Sequence, residues 1–195
     1  MSTVNIILSG VGGQGTILAA KLLAQAAMNR GETVKTAETI GMAQRGGSVV
    51  SHVRIGERIQ SPLIPLAHAD LIIGFEPAEA IRCLPYLREN GIVIMSSKVI
   101  VPMATALGKS QYLLSDMINY LEMAKIHHIV IDTDTICELC GSSKVSNVAL
   151  LGAASKASAT GFTLDEIRQA IFDRVPEKFV KQNQMALALG AEQIK

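Results

Sequence analysis

The sequence predicts an α/β fold: a mainly parallel sheet flanked by helices, with a helical C-terminal third. Three observations lead there. Short apolar and β-branched runs alternate with segments of helical length and composition. The first run, Val4 to Leu8, opens into the glycine-rich turn Ser9-Gly10-Val11-Gly12-Gly13-Gln14-Gly15, and an Ala- and Leu-rich stretch follows it. From Val148 onward the strand-like runs stop and small-residue helical segments take over.

Each element has its own signal. Thr16 to Met28 is rich in helix formers, and Gly31 suits the C-terminal stop. Thr33 to Glu38 reads as a second strand and Ser48 to Ile55 as a third. In the third, Val49, Ser51, Val53 and Ile55 share one face, while Ser48, Val50, His52 and Arg54 share the other. Asp70 to Phe75 is a continuous apolar run, the pattern of a strand covered on both faces. A helix is expected over Pro77 to Leu87, then a strand at Gly91 to Met95 and a helix over Ser115 to Lys125 with Ser115 as its N-cap. His127 to Ile131 is the last strand. Val148 to Thr160 is dense in Gly, Ala and Ser, which predicts a central helix in close backbone contact with a neighbour, ended by Gly161. Thr163-Leu164-Asp165-Glu166 spells a capping box, with Phe162 and Ile167 as its hydrophobic staple. Pro176 suits the first turn of the helix after it.

Composition bounds the function. The 195 residues suit one domain, residues 1–195, with no repeat or linker-like stretch. Hydrophobic residues make up 49% and charged residues only 18%, against a usual charged share of about 25%. The net charge of +1 excludes a basic footprint for nucleic acid, so no nucleic-acid partner is expected. Met1-Ser2-Thr3-Val4 carries no positive region ahead of its apolar run, and no apolar stretch reaches membrane-spanning length. The expectation is a cytoplasmic protein with no membrane contact. The three cysteines, Cys83, Cys137 and Cys140, are then expected to stay reduced. The shortfall of charge predicts surface that a partner covers.

Gly10-x-Gly12-x-x-Gly15 lies between the first strand and the first helix, as in a Rossmann-like fold. Glycines permit the tight turn, and helix N-terminal amides can approach an anion. Glu38, at the end of the second strand, stands where an acid could bond a ribose hydroxyl. These features allow a free-standing NAD(P)-binding module with a redox-sensing or regulatory role. They equally allow glycines that only pack helix against strand. A second loop, Gly41-Met42-Ala43-Gln44-Arg45-Gly46-Gly47-Ser48, places one fixed cation among glycines. Arg45 could fork onto a phosphate or carboxylate, or sit in a solvent-exposed salt bridge.

Taken together, GVGGQG, GMAQRGGSVVSHVRIG, SPLIP, DLIIGFEPAEA and NVALLG (Asn147 to Gly152) resemble the gamma-type subunits of 2-oxoacid:ferredoxin oxidoreductases. The resemblance runs from Val4 to about Phe172, and the MAQRGGSVVSHVR wording looks most like the beta subunits of the indolepyruvate branch. It implies the small subunit of an enzyme that oxidatively decarboxylates aryl 2-oxoacids to aryl-acetyl-CoA, with ferredoxin as electron acceptor. It further implies thiamine diphosphate and [4Fe–4S] clusters on a large catalytic partner subunit and none on this chain, with coenzyme A as co-substrate. No residue of this chain is expected to be catalytic or to bind a metal. Ferredoxin would be reached only through the holoenzyme. In agreement, the chain has no GDG-type thiamine motif, and three cysteines cannot supply the four thiolates of a cluster. Matched residue by residue, the implied binding positions are Gly10, Gly12, Gly13, Gln14 and Gly15 in the first loop and Gln44, Arg45, Gly46 and Gly47 in the second. Arg45 would offer the cation and the Gly12–Gly15 amides the donors, toward coenzyme A or the partner. A third reading is a scaffold whose loops touch no ligand.

Two other features invite chemistry. Cys137-Glu138-Leu139-Cys140 follows His127 and His128, but adjacent histidines on a strand point to opposite faces. Structural cysteines are the expectation there. His52 and Arg54 share a strand face and could line a partner surface or the sheet.

Overall fold

The computed structural model describes residues 3–41, 47–101 and 112–194. The chain runs β1 (Val4–Val11), α1 (Thr16–Asn29), β2 (Val34–Ile40), β3 (Ser48–Ile55), β4 (Ala69–Gly74), α2 (Pro77–Arg82) and β5 (Leu87–Ser96). It continues through α3 (Leu114–Met123), β6 (His127–Ile131), α4 (Thr133–Leu139), α5 (Ser146–Lys156), α6 (Leu164–Arg174) and α7 (Glu177–Glu192). The strands form one sheet in the order β2-β3-β1-β4-β5-β6.

The sheet is mainly parallel, as expected, and β3 is its antiparallel exception. β1, β4, β5 and β6 pair in parallel, whereas β3 runs antiparallel to both β1 and β2. Only residues 41–47 join β2 to β3. A parallel crossover needs about a dozen residues or more, so the connection can only be a hairpin. The amide of Gly41 closes it on the Ser48 carbonyl at 2.8 Å.

Strand alternation divides the core into two layers. Ile6, Leu8, Leu71, Ile73 and Ile94 face α1, α5, α6 and α7. Ile7, Ile72, Val93 and Met95 face α2 and Leu121 of α3. Both faces of the central strands are therefore dry, which is why their sequences read as unbroken apolar runs. α1 ends in a Schellman motif: Gly31, at φ 74°, bonds back to Met28 while the Glu32 amide reaches Ala27.

The small-residue helix makes the close contact its composition predicts. A Cβ added at Gly152 of α5 would lie 2.0 Å from the Leu187 carbonyl oxygen of α7. One added at Gly190 would lie 1.9 Å from that of Ala149. Backbone meets backbone at this crossing. The capping box at Thr163 and Glu166 is formed in full.

Several boundaries differ from expectation, four of them at helix ends. The helix after Pro77 ends at Arg82, because Pro85 cannot continue it and the chain tightens into a 3-10 turn over Leu84–Tyr86. α3 starts at Leu114, so Ser115 lies inside its first turn and Leu113 takes the N-cap place without a side-chain bond. α5 stops at Lys156 in a Schellman motif whose left-handed residue is Ser158 (φ 57°), not Gly161. Pro176 is the N-cap of α7 rather than part of its first turn.

Candidate functional site

In an open α/β sheet the carboxyl ends of the parallel strands form the natural binding edge. Here the loop after β1, the start of β3 and the turn after β4 all lie at that edge. Four of the segments that look distinctive in the sequence meet there. The Gly12 amide donates to the Gly47 carbonyl at 2.9 Å, which joins the first glycine loop to the end of the second. Gln14 spans the turn: its Oε1 accepts the Val11 amide and its Nε2 donates to the Phe75 carbonyl, both at 2.8 Å. Asn147, at the start of α5, donates from Nδ2 to the Gly15 carbonyl at 3.0 Å. Ser48 donates from Oγ to Glu79 Oε2 at 2.7 Å.

These bonds give the expected site residues distinct jobs. Gly10 and Gly15 are demanded by close approach. A Cβ on Gly10 would lie 2.7 Å from Gln14 Oε1 and 3.0 Å from Phe75 Cβ. One on Gly15 would lie 2.5 Å from Asn147 Nδ2. Gly13 and Gly15 also take positive φ values, 97° and 81°. Gln14 spends both ends of its amide on the backbone, so it shapes the loop rather than reaching outward. Gly12 likewise commits its amide to Gly47, which removes it from the donors expected to face an anion. What remains at the edge is the first turn of α1, where no side chain caps the helix among the described residues. Gln44, Arg45 and Gly46 lie outside the described residues.

The sequence reading missed two acids at this edge. Glu76, 1% exposed, caps α2 through Oε2, and its Oε1 accepts the Tyr112 hydroxyl at 3.2 Å and the Ile100 amide at 3.4 Å. Burial, and then the Glu76 charge beside it, pushes the Tyr112 hydroxyl up to about 12. Glu79, 4% exposed, receives Ser48 and pairs with Arg82. The available signal was Phe75-Glu76-Pro77: an acid at a strand's end with proline at the first helical position marks a buried N-cap. Asn147 was quoted only as part of a motif, and its partner 132 positions away cannot be read from spacing.

Other candidates resolve differently. Glu38 pairs with Ser51, which in turn pairs with Leu8. β3 therefore stands between Glu38 and the glycine strand, about 10 Å at two strand spacings. That separation overturns the dinucleotide arrangement, which needs the acid-bearing strand beside the first. His52 and Arg54 line the sheet and hold the following segment. His52 Nδ1 accepts the Ile64 amide at 3.2 Å, and Arg54 Nη1 donates to the carbonyls of Ser61 and Leu63. Burial pushes the His52 imidazole below its ordinary value, which favours this acceptor role. Cys137 and Cys140 fall at the end of α4 in the α1-side core, whereas Cys83 lies in the α2-side core. The thiols are divided two and one between the layers, so the residues present do not fit an iron–sulfur cluster, which needs four thiolates together. Burial raises all three, Cys83 to about 11.

A family model described as pyruvate ferredoxin/flavodoxin oxidoreductase matches residues 5–193. The chain belongs to the pyruvate ferredoxin/flavodoxin oxidoreductase family. Two curated relatives of this oxidoreductase chain match it along nearly their full lengths. The indolepyruvate oxidoreductase subunit IorB of Archaeoglobus fulgidus is 39% identical over 190 residues, covering 97% of this chain and 94% of the relative. The subunit of the same name from Thermococcus kodakarensis is 35% identical, covering 100% and 98%. Among solved structures, the gamma subunit of a keto/oxoacid ferredoxin oxidoreductase from Geobacter sulfurreducens superposes with a TM-score of 0.71 at 23% identity, covering 97% of each chain. The 2-oxoglutarate:ferredoxin oxidoreductase of Magnetococcus marinus gives 0.70 at 17% identity, covering 100% of this chain and 32% of that one. At these identities the two structures show a shared fold. No helix among the described residues is long and apolar enough to cross a membrane.

Proposed function

We propose that this chain is the small subunit of an indolepyruvate-class 2-oxoacid:ferredoxin oxidoreductase. The reaction is oxidative decarboxylation of an aryl 2-oxoacid to an aryl-acetyl-CoA, with ferredoxin taking the electrons. The observation that carries this reading is the end-to-end identity of 39% to a subunit named for indolepyruvate. Thiamine diphosphate, on the large partner subunit, supplies the decarboxylation chemistry when bound, and the clusters reside there as well. This chain contributes a shaped edge. The turn at Gly13 and Gly15 and the open first turn of α1 present backbone amides, and Arg45, two positions before Gly47 in the sequence, is the cation proposed to act with them. That edge suits an anionic group such as the phosphates of coenzyme A. The exposed apolar side chains of α3, Tyr120 at 54% and Met123 at 85%, supply surface for the large subunit.

The test is co-expression with a large catalytic subunit of the same enzyme class from the same source, followed by purification through a tag on one chain. A stable complex should reduce ferredoxin with indolepyruvate and coenzyme A, and faster than with pyruvate or 2-oxoglutarate. Failure of the two chains to co-purify sinks the subunit assignment. A complex that prefers pyruvate keeps the family and removes the indolepyruvate branch.

A further inference from the structure

A second recess lies beside the first turn of α1, where the helical C-terminal third folds against it. It encloses about 240 Å³. Its walls are apolar: Leu18 of α1, Val145 from the 3-10 turn at Ser143–Val145, and Val175, Pro176 and Phe179 from the corner between α6 and α7. Two cations, Lys144 and Arg174, complete the lining with three neutral polar residues and no carboxylate.

The charged groups in the lining are of one sign. Gln182 donates its amide to the Cys140 carbonyl, and Asn183 donates to that of Phe179. Both side-chain NH2 groups thus have a partner within the protein. Ser142 accepts the Lys144 backbone amide on its Oγ, which leaves the hydroxyl proton free to donate. Lys144 and Arg174 form no ion pair among the described residues, and Arg174 uses only its Nε, toward Gln25. A third positive charge, Lys178, lies 4.9 Å above the Phe179 ring. An apolar recess whose only charged lining groups, among the described residues, are two cations selects for a ligand with an apolar body and an anionic head.

Size and rigidity narrow the class. Pockets for drug-sized ligands hold about 300–1,000 Å³, so this one suits a single ring system with a short acidic arm. Phe179 and Pro176 offer flat faces for a ring. The corner that carries them is held by the Val175 amide on Ile171 and the Phe179 amide on Pro176, so the site is formed before any ligand arrives. We propose that this recess binds a small aromatic carboxylate, with its ring against Phe179 and Pro176 and its carboxylate between Lys144, Arg174 and the Ser142 hydroxyl. The site shares the first turn of α1 with the proposed edge through Leu18, but it uses none of the glycine-loop residues, so glycine-loop variants and Lys144 or Arg174 variants test the two separately.

The probe is 3-phenylpropionate, titrated by calorimetry and ligand-observed NMR into the full chain and into its complex with the large subunit. Its amide and acetate serve as controls. Saturable binding of the acid is expected in both preparations, with the amide at least about tenfold weaker and acetate showing none. Methyl resonances of Leu18, Val145 and Val175 should shift on titration. Lys144→Ala and Arg174→Ala change exposed residues and should each weaken binding about tenfold. Arg174→Lys should retain most of the affinity. Equal binding of acid and amide overturns the proposal, as do methyl shifts confined to other regions. Binding to the free chain that vanishes in the complex overturns it too, because the recess would then be a partner contact.

Discussion

Asn147 holds the Gly15 carbonyl through its Nδ2 at 3.0 Å, while its Oδ1 accepts the Val148 amide at 2.9 Å. One buried side chain therefore fastens the start of α5 to the glycine turn ahead of α1. Removing it leaves the Val148 amide without that partner in a dry setting. Asn147→Ala is expected to cost about 2 kcal/mol. For a domain of this size that lowers the melting temperature by roughly 4–8 °C, read by thermal denaturation followed by circular dichroism. An unchanged midpoint would mean that the turn stands without Asn147.

The α5–α7 crossing permits a sharper comparison among glycines. Gly190→Ala sets a methyl against the Ala149 carbonyl, which is backbone and can yield only if the helices separate. The expected loss is about 3 kcal/mol in urea unfolding. Gly13→Ala meets nothing within 4 Å and is strained only by its positive φ. About 1 kcal/mol is expected there. If the two variants cost the same, close approach is not what selects Gly190.

Glu166 gives a pH signature. It pairs with Arg30, whose guanidinium also lies 4.5 Å from the centroid of the Phe162 ring. The Arg30 hydrogen bond pulls its carboxyl down to about 2. A lowered folded value means stability that is present above the ordinary carboxylate range and lost as pH falls toward 2. Both side chains are about one-third exposed, so solvent screening limits the contribution to about 1 kcal/mol. Glu166→Gln should therefore be less stable than the parent at pH 7, with the difference closing between about pH 4.5 and 2. A difference that persists at pH 2 would point to packing or to the lost capping box instead.

Arg45 tests the proposed edge. In the complex, Arg45→Ala is expected to raise the apparent KM for coenzyme A about tenfold, or else to weaken association of the two subunits. Steady-state kinetics and analytical ultracentrifugation read the two outcomes separately. If neither quantity moves, Arg45 has no part in the site.

Much of this architecture was legible because it depends on neighbours in the chain. The buried strands at residues 4–11 and 69–74, the capping box at Thr163 and the small-residue crossing helix all follow from local pattern and composition. The antiparallel direction of β3 was not read from the sequence, although the short connection from β2 leaves no room for a crossover. Ser115 and Gly161 misled for the opposite reason. Each is a good capping residue, yet tertiary packing set the helix ends at Leu113 and Ser158, beyond what local preference decides.

The sequence by itself determined the α/β class, the order of most elements and the paired glycine loops that mark the family. Tertiary structure alone decided how the first loop is held. It spent the side chain of Gln14 and the amide of Gly12 on holding the turn, set β3 between Glu38 and the glycine strand, and joined Asn147 to Gly15 across 132 positions. The division has one physical cause. Backbone preference and hydrophobic period act over a few residues, whereas a buried hydrogen bond is satisfied by whichever group the packed fold brings within 3 Å.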